Sequence, residues 1–253
     1  MNRATCRVNV ANLMAFPDHK SELLTQLFLH DEISIIEQKG NWMSVCLEAE
    51  SMQAWMLTAQ LSTIEPSEEV VGIVGQQGAY RRIDNELQYI HPGTHGWASD
   101  FESPAIEMQE GRLLKIKSHL SASEIHSLLH SFLHAPYMWG GMTRAGIDCS
   151  GLSRLLFKYM GIPLPQLARE QAKQGEFVDF LINVQMGDLA FFVNEEQEIN
   201  HVGILLNSEE IIHASEVNGD VCCDGIDSQG IVNKRSGEHT HTLRMIKRLI
   251  PTI

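Results

Sequence analysis

The spacing of apolar residues changes along this chain, and that change constrains the fold more than any other feature of the sequence. From Cys6 to Leu61 the apolar residues stand in short runs separated by turn residues, as in small antiparallel β structures. From Ser121 they recur at helical spacing, and short apolar runs return after residue 188. Helices followed by antiparallel strands describe an α+β domain, so we predict one such domain preceded by a small all-β barrel.

Turn and breaker residues set the predicted boundaries. Apolar runs cover residues 8–10, 23–27, 32–36, 42–47 and 54–57, and Lys39-Gly40-Asn41 predicts a hairpin turn between two of them. From Ser62 to Lys117 prolines and glycines interrupt the pattern. We therefore predict a barrel at residues 1–61, a connector with one or two extra strands at 62–117, and the α+β domain at 118–253.

The α+β domain is predicted to contain two helices before its strands. Ser121-Ala122-Ser123-Glu124 is a capping box, and the helix that it begins is predicted to run to about His134. Asp148 is a favourable N-cap for a second helix, which Gly161 and Pro163 end. Strands are predicted at residues 189–193, 201–206, 210–214 and near 243–246.

The charge balance excludes some classes of partner. The 253-residue chain has 32 acidic and 19 basic side chains, a net charge of -13. Such a surface repels phosphate backbones and anionic lipid, so we expect neither nucleic acid nor membrane as a partner. We expect a monomer that binds a small substrate.

The N-terminus and the cysteines predict the compartment. Asn9, Asn12 and Pro17 interrupt the apolar stretch after the first residues, which therefore does not resemble a signal peptide. The five cysteines are odd in number and irregularly spaced, which argues against a disulfide framework and for a reducing compartment. A cytoplasmic location is the resulting expectation.

Cys149 is the candidate nucleophile. It follows the N-cap Asp148, so its sulfur is expected beside unsatisfied backbone N–H groups at the positive end of a helix dipole. Such positions lower a thiol pKa to roughly 3.5–7.5, and the same N–H groups can stabilise an oxyanion. A thiolate nucleophile is therefore predicted, and a buried structural cysteine is the alternative.

Four blocks in a fixed order surround and follow this cysteine. They are Pro136-Tyr137-Met138-Trp139-Gly140-Gly141, Gly146-Ile147-Asp148-Cys149-Ser150-Gly151-Leu152, Asn200-His201-Val202-Gly203-Ile204 and Ile211-Ile212-His213-Ala214. Over about residues 118 to 250 the chain resembles the NlpC-type cysteine peptidases, a papain-like family that hydrolyses bacterial cell-wall peptides. The resemblance implies a papain-like α+β fold and a cysteine peptidase.

The resemblance also implies roles for individual residues. Cys149 would attack the substrate carbonyl, and His201 would transfer the proton to the leaving amine. His213, on the next strand, would hold the other ring nitrogen of His201 and fix its tautomer. Asp148, Ser150 and Trp139 are the residues of these blocks expected to contact substrate.

No metal and no cofactor are expected. Cys222-Cys223 and His239-Thr240-His241 contain ligand types but lack the usual spacing of structural zinc sites, and adjacent cysteines chelate one ion poorly. Tryptophans in small barrels are more often core residues than sugar-stacking platforms.

The N-terminal region has its own resemblance. Residues 21–27, Gly40-Asn41-Trp42-Met43-Ser44-Val45 and residues 54–61 look like a bacterial Src-homology-3-like domain. Together with Pro163-Leu164-Pro165 and Gly187-Asp188-Leu189, this combination is similar to the cytoplasmic γ-D-glutamyl-L-diamino-acid endopeptidases that recycle murein peptides. Such enzymes cut after D-glutamate in L-alanyl-γ-D-glutamyl-diaminopimelate, and their barrel closes one end of the cleft.

Two departures from that subgroup affect substrate choice. Met52-Gln53-Ala54-Trp55 stands where a Tyr-x-Gly-Trp motif is usual, and Gln166-Leu167 replaces a frequent Arg-Asp. A charged substrate amine needs a carboxylate, for which Glu22 and Asp148 are the candidates. A solvated loop glutamate and a helix cap are the respective alternatives.

Two other functions are compatible with these residues. An amidase or acyltransferase could use the same catalytic set on an N-acylated or lipid substrate. A binding protein could use the barrel to recognise cell-wall peptides, with the second domain inactive.

Overall fold

The computed structural model describes residues 2–47, 52–63, 70–83, 86–97 and 113–249. The chain divides by its internal contacts into two compact units, Met1–Lys117 and Ser118–Ile253. Residues 62–117, predicted as a connector, belong to the first unit, and the parts of that connector at 64–69, 84–85 and 98–112 lie outside the described residues. In the described part of the chain, no helix has the length and apolar character that a membrane span requires.

The first unit is built almost entirely from antiparallel strands. Its strands are β1 (Asn2–Cys6), β2 (Val10–Met14), β3 (Leu23–Phe28), β4 (Glu32–Lys39), β5 (Trp42–Leu47), β6 (Met52–Leu57), β7 (Leu61–Ser62), β8 (Val70–Val74), β9 (Ala79–Ile83), β10 (Glu86–Ile90), β11 (His95–Trp97) and β12 (Leu113–Leu114). A 3-10 turn at Thr58–Gln60 separates β6 from β7. The first seven strands form one sheet in the order β3-β2-β6-β5-β4-β1-β7.

Alternation of side chains builds the core of this sheet. Met43, Val45 and Leu47 on β5 are buried together with Ala54 and Met56 on β6, as expected for strands with one face on a core. The hairpin predicted at residues 39–41 is present, because Lys39 pairs with Trp42 across a Gly40-Asn41 turn. Gly40 has a positive φ of 60°, a conformation that glycine adopts without strain.

The second unit has helices first and strands after them. Its elements are α1 (Ala122–His130), β13 (Met142–Thr143), β14 (Gly146–Ile147), α2 (Cys149–Lys158), α3 (Ala168–Gln171), β15 (Glu176–Phe177), β16 (Leu189–Val193), β17 (Ile199–Leu205), β18 (Glu210–Ser215), β19 (Asp220–Ile226), β20 (Gly230–Val232) and β21 (His239–Arg248). A 3-10 turn covers Leu181–Asn183. The α+β class predicted from the sequence is confirmed.

The large sheet of this unit is closed. Its order is β15-β21-β16-β17-β18-β19-β20, and an additional pairing joins β20 to β21. Six strands therefore form a ring, with β15 attached outside it through β21. All these pairings are antiparallel. A closed sheet has few unpaired edges and supports side chains on a rigid frame.

The first helix is shorter than predicted. The Ser121 capping box is present, with Ser121 Oγ accepting from the Glu124 N–H and the Glu124 carboxylate accepting from the Ser121 N–H. The helix nevertheless ends at His130, since the next residues form i→i+3 bonds such as Phe132 N–H to Leu129 O at 3.0 Å. His134 then takes a positive φ of 65°, which no α-helix allows.

Candidate active site

The cysteine blocks form a short loop and the start of α2. The Asp148 Oδ1 accepts from the Gly151 N–H at 2.6 Å and from Ser150 Oγ at 2.8 Å, and its Oδ2 accepts from the Gly140 N–H at 2.7 Å. This is the N-cap predicted from the sequence, extended to a second segment. The protein therefore binds both oxygens of this carboxyl group. Asp148 is 6% exposed, and burial raises its pKa.

Cys149 is the first residue of α2, and it is buried rather than exposed. Burial raises the pKa of its thiol to about 12, and the Asp148 charge acts in the same direction. Hydrogen bonds from the backbone N–H groups of Val202, Ser150 and Cys149 itself oppose these effects without outweighing them. The expectation of a resting thiolate is therefore wrong. Removing the thiolate from water costs more free energy than the interactions at the helix start provide.

The two predicted histidines are brought together on neighbouring strands. His201 lies on β17 and His213 on β18, and His201 Nε2 is 2.9 Å from His213 Nδ1. Both rings are buried, with exposures of 5% and 0%. The Val202 N–H that bonds the Cys149 sulfur belongs to the residue after His201, so the cysteine lies against the same strand.

His201 is held in its neutral form. Burial lowers its pKa well below the ordinary histidine value, and the charges of His241 and His213 lower it further. A neutral imidazole can accept a proton, as a general base must. The resting pair is therefore a thiol beside a neutral imidazole.

Asp224 extends the row of buried groups beyond His213. It lies on β19, is 2% exposed, and its Oδ2 is 3.2 Å from His213 Nε2. Asp224 was not predicted as a site residue, because its strand was not predicted. The spacing of Cys222 and Asp224 could have indicated it. Alternate residues of a strand share one face, and His213 pairs with Cys222 on the neighbouring strand.

His241 is a second residue that the sequence analysis did not assign to catalysis. Its ring is stacked on that of His201, with centroids 4.2 Å apart and an interplanar angle of 28°. Burial lowers the pKa of His241 to about 4, with a further lowering from the His213 charge. Tyr137 is a third residue near the site, since it forms a β-bridge with Ile147, two residues before Cys149, and burial raises its pKa.

The residues considered for a metal separate in the structure. Cys222 pairs with His213 and Cys223 with Ile212, so the adjacent cysteines point to opposite faces of β19. His239 instead binds the Asp227 carboxylate at 2.9 Å. Among the described residues, ligand atoms of His213, Cys222 and Asp224 lie within 4.8 Å of one another.

The predicted substrate residues occupy different places. Ser150 is buried and donates to Asp148, whereas Trp139 is 51% exposed in the loop before Gly140. Glu22 belongs to the other unit, where its side chain is exposed and its backbone carbonyl accepts from the Ala15 N–H at 2.9 Å. The structure thus brings Cys149, His201 and His213 into one buried site and leaves Trp139 at the surface.

Comparison with known proteins agrees with this geometry. Residues 134–238 match the NlpC/P60 family, and residues 13–61 match the bacterial dipeptidyl-peptidase Sh3 domain. The chain is 30% identical over 137 residues to murein DD-endopeptidase MepS/murein LD-carboxypeptidase of Escherichia coli, covering 54% of this chain and 71% of the relative. The chain belongs to the NlpC/P60 family of cysteine peptidases.

Two further relatives match a larger share of the chain. A γ-D-glutamyl-L-lysine dipeptidyl-peptidase of Bacillus subtilis is 26% identical over 221 residues, covering 75% of this chain and 71% of that protein. The crystal structure of an NlpC/P60 family protein from Bacillus cereus is similar with a TM-score of 0.81 at 19% identity. That alignment covers 98% of this chain and all of the other, so it supports the fold of both units.

Proposed function

We propose that this chain is a cysteine endopeptidase that hydrolyses the bond between γ-D-glutamate and an L-diamino acid in murein peptides. The substrate carries a free N-terminal L-alanine, and the reaction belongs to peptidoglycan recycling. The observation that carries the proposal is the 2.9 Å contact between His201 and His213 beside a cysteine at a helix start. The Bacillus relatives named for a γ-D-glutamyl-L-lysine bond support the substrate class.

The chemistry follows from the neutral resting pair. Because His201 Nε2 contacts His213, the Nδ1 of His201 is the nitrogen that takes the thiol proton as Cys149 Sγ attacks the γ-glutamyl carbonyl. Backbone N–H groups at the start of α2 stabilise the oxyanion. The C–N bond then breaks, and His201 returns the proton to the leaving amine. Water hydrolyses the acyl-enzyme and restores the thiol.

Four side chains are proposed to contact the substrate. Asp148 and Ser150 lie next to Cys149 in the chain, and Trp139 offers an exposed ring in the preceding loop. Glu22 is proposed to bind the free α-amine, which is supported by the resemblance of the barrel rather than by a contact. We also propose a cytoplasmic location, which the free cysteines support.

The test uses a matched set of peptides. L-alanyl-γ-D-glutamyl-diaminopimelate, its L-lysine counterpart and the N-acetyl form of each are incubated with the protein, and products are identified by mass spectrometry. We expect release of the free diamino acid, and a loss of kcat/KM on the order of 100-fold upon acetylation, because acetylation removes the positive charge that Glu22 is proposed to bind and adds bulk to the amine. Cleavage restricted to N-acylated or lipid substrates would contradict the proposal and favour the amidase alternative.

Cys149→Ala is expected to abolish cleavage, with at least a ~1,000-fold loss of kcat, since no other group replaces the nucleophile. Its fold should persist, which thermal melting checks. Cys223→Ala is the matched control, because Cys223 lies on the opposite face of β19 from Cys222, and it should keep the parent rate. Turnover by Cys149→Ala at the parent rate would exclude this cysteine as nucleophile.

A further inference from the structure

The buried row of groups continues past the two histidines and ends on a carboxylate. Asp224 Oδ1 accepts from the Lys234 N–H at 2.8 Å, and its Oδ2 is 3.2 Å from His213 Nε2 and 3.3 Å from Asn218 Nδ2. Asn233 donates to Asn218 Oδ1 at 2.9 Å, which orients the Asn218 amide with its NH2 toward Asp224. Cys222 Sγ also donates to Oδ2 at 3.7 Å, so four donors surround this carboxylate.

These donors keep Asp224 ionised although it is buried. Burial by itself raises its pKa, but the hydrogen bonds from His213, the Lys234 N–H and Cys222 bring the pKa below the ordinary value. An ionised carboxylate only accepts hydrogen bonds. The 3.2 Å contact therefore requires a proton on His213 Nε2.

The position of that proton determines the others. If His213 is neutral, a proton on Nε2 leaves its Nδ1 bare, and the 2.9 Å contact then requires a proton on His201 Nε2. His201 is neutral, so its Nδ1 is bare as well. This is the nitrogen that must receive the thiol proton in the proposed reaction.

We propose that Asp224 is a positioning residue, which fixes His213 and, through it, His201 in the Nε2–H tautomers and so keeps His201 Nδ1 free for the Cys149 proton. This inference rests on the proposed function. Asp224 touches neither the reacting atoms nor the substrate and acts only through His213. The site is therefore a row of four side chains, drawn from α2 and three consecutive strands, β17, β18 and β19.

The direct test measures the parent protein, with Asp224 unchanged. In the parent protein labelled with 15N-histidine, ring nitrogen shifts and couplings show which nitrogen carries hydrogen, and signals are assigned by their loss in His201→Gln and His213→Gln. We expect protonated Nε2 and bare Nδ1 for both residues near neutral pH. A proton on Nδ1 of either ring would overturn the proposal. This readout does not depend on any substrate, so it stands even if the peptide assay fails.

The kinetic test uses Asp224→Asn, which preserves size and removes the charge. A neutral amide can present oxygen or NH2 to His213, so the tautomers are no longer imposed. We expect kcat to fall on the order of 100-fold and KM to change by less than about 3-fold, because orientation and not binding is lost. An unchanged kcat would contradict the proposal.

A double substitution separates positioning from general damage. If Asp224 acts through His213, then adding Asp224→Asn to His213→Ala should cost no more than about 3-fold in kcat, far less than in the parent. Full additivity would overturn the proposal. Asp188→Asn is the matched control, since Asp188 is 3% exposed and pairs with Arg248 at 2.7 Å. It should lower the melting temperature and leave kcat within about 3-fold.

The outcomes distinguish this inference from the proposed function. A parent protein that cuts none of the peptides refutes the function, while the tautomers still decide the role of Asp224. If the parent protein cuts the peptides but His201 or His213 carries its proton on Nδ1, only the proposed role of Asp224 is refuted.

Discussion

The neutral state of His201 determines how the site responds to acid. Its low pKa arises from burial first and from the charges of His241 and His213 after that. A protonated His201 cannot accept the thiol proton, so activity should decline where this imidazole gains its proton. The acidic limb of the kcat/KM profile is therefore expected well below pH 6.5, the ordinary value for histidine.

The variant His241→Phe tests whether protonation of His201 sets the acidic limb of the pH profile. Phenylalanine retains an aromatic ring against His201 and removes a group whose charge lowers the His201 pKa. Without the His241 charge, His201 gains its proton at higher pH. We expect the acidic limb to move upward by about half a pH unit or more, with the rate at neutral pH within roughly 3-fold of the parent. A downward shift would contradict the assignment of the limb to His201.

Cys149 shows why a motif at a helix start does not by itself yield a thiolate. The adjacent helix start and N-cap were predictable from local sequence, because Asp148 and the apolar spacing define them. The pKa of the Cys149 thiol was not predictable in this way, since it depends on strands far along the chain that remove the sulfur from water. Burial is a tertiary property, and it outweighs the local dipole here.

At the scale of elements, the loop before α2 packs so closely against the first turn of α2 that a residue of this turn must be glycine. A Cβ added at Gly151, in the first turn of α2, would overlap the carbonyl oxygen of Gly141. The obstacle is backbone, so the loop or the helix must move. The helix start that holds Cys149 is thus fixed by the absence of a side chain.

Gly151→Ala is therefore expected to destabilise the second unit by about 1–3 kcal/mol, as overpacking commonly does, and to reduce kcat by displacing Cys149. Thermal melting and peptide assays measure both effects. Gly225→Ala is the matched control, because a Cβ there meets Val232 O at 3.4 Å, an ordinary contact. Equal melting temperatures for the two variants would show that the loop adapts.

Strand prediction succeeded where both faces of a strand are apolar. Residues 189–193 were predicted as a strand and form β16, in which all five residues are buried. β19 was missed, because its sequence Asp220-Val221-Cys222-Cys223-Asp224-Gly225-Ile226 carries acidic residues that normally indicate a loop. Asp224 is buried at the site, so one strand that was missed carries a residue of the site.

The contact between His201 and His213 could be anticipated, since consecutive antiparallel strands place such residues side by side. The further contact between His213 and Asp224 could not be anticipated. It needs a third strand and the register that pairs His213 with Cys222. Pairing register depends on the whole sheet rather than on the sequence near either residue.

At the scale of the whole molecule, buried neutral histidines make the fold sensitive to acid. The pKa of His241 is lowered from 6.5 to about 4, so the unfolded chain binds this proton at a higher pH than the native protein does. Between those values the unfolded state carries more protons, and stability falls as the pH falls. His201 adds to the effect in the same direction, whereas the raised pKa of Asp148 opposes it.

We expect the melting temperature of the second unit to drop by roughly 5 °C or more between about pH 7.5 and about pH 5. Calorimetry at the two pH values measures it. The drop should be smaller in His241→Phe, which lacks one of the two histidines. A melting temperature that rises on acidification would show that the carboxyl groups dominate instead.

Metal removal provides a further check on the whole enzyme. No step of the proposed reaction uses a metal, so EDTA is expected to leave the peptide cleavage rate within about 1.5-fold of the untreated rate. Loss of activity in EDTA that zinc restores would instead assign an ion to the ligand atoms of His213, Cys222 and Asp224.

The closure of the second sheet also bears on how the protein is made. β21, the last described strand, pairs with both β16 and β20, so it completes the ring that contains the strands of His201, His213 and Asp224. While the chain is being synthesised, β16 and β20 therefore present unpaired edges until residues 239–248 have left the ribosome. Nascent chains that stop before this strand should depend on chaperones to remain unaggregated, and no peptidase activity should precede its arrival.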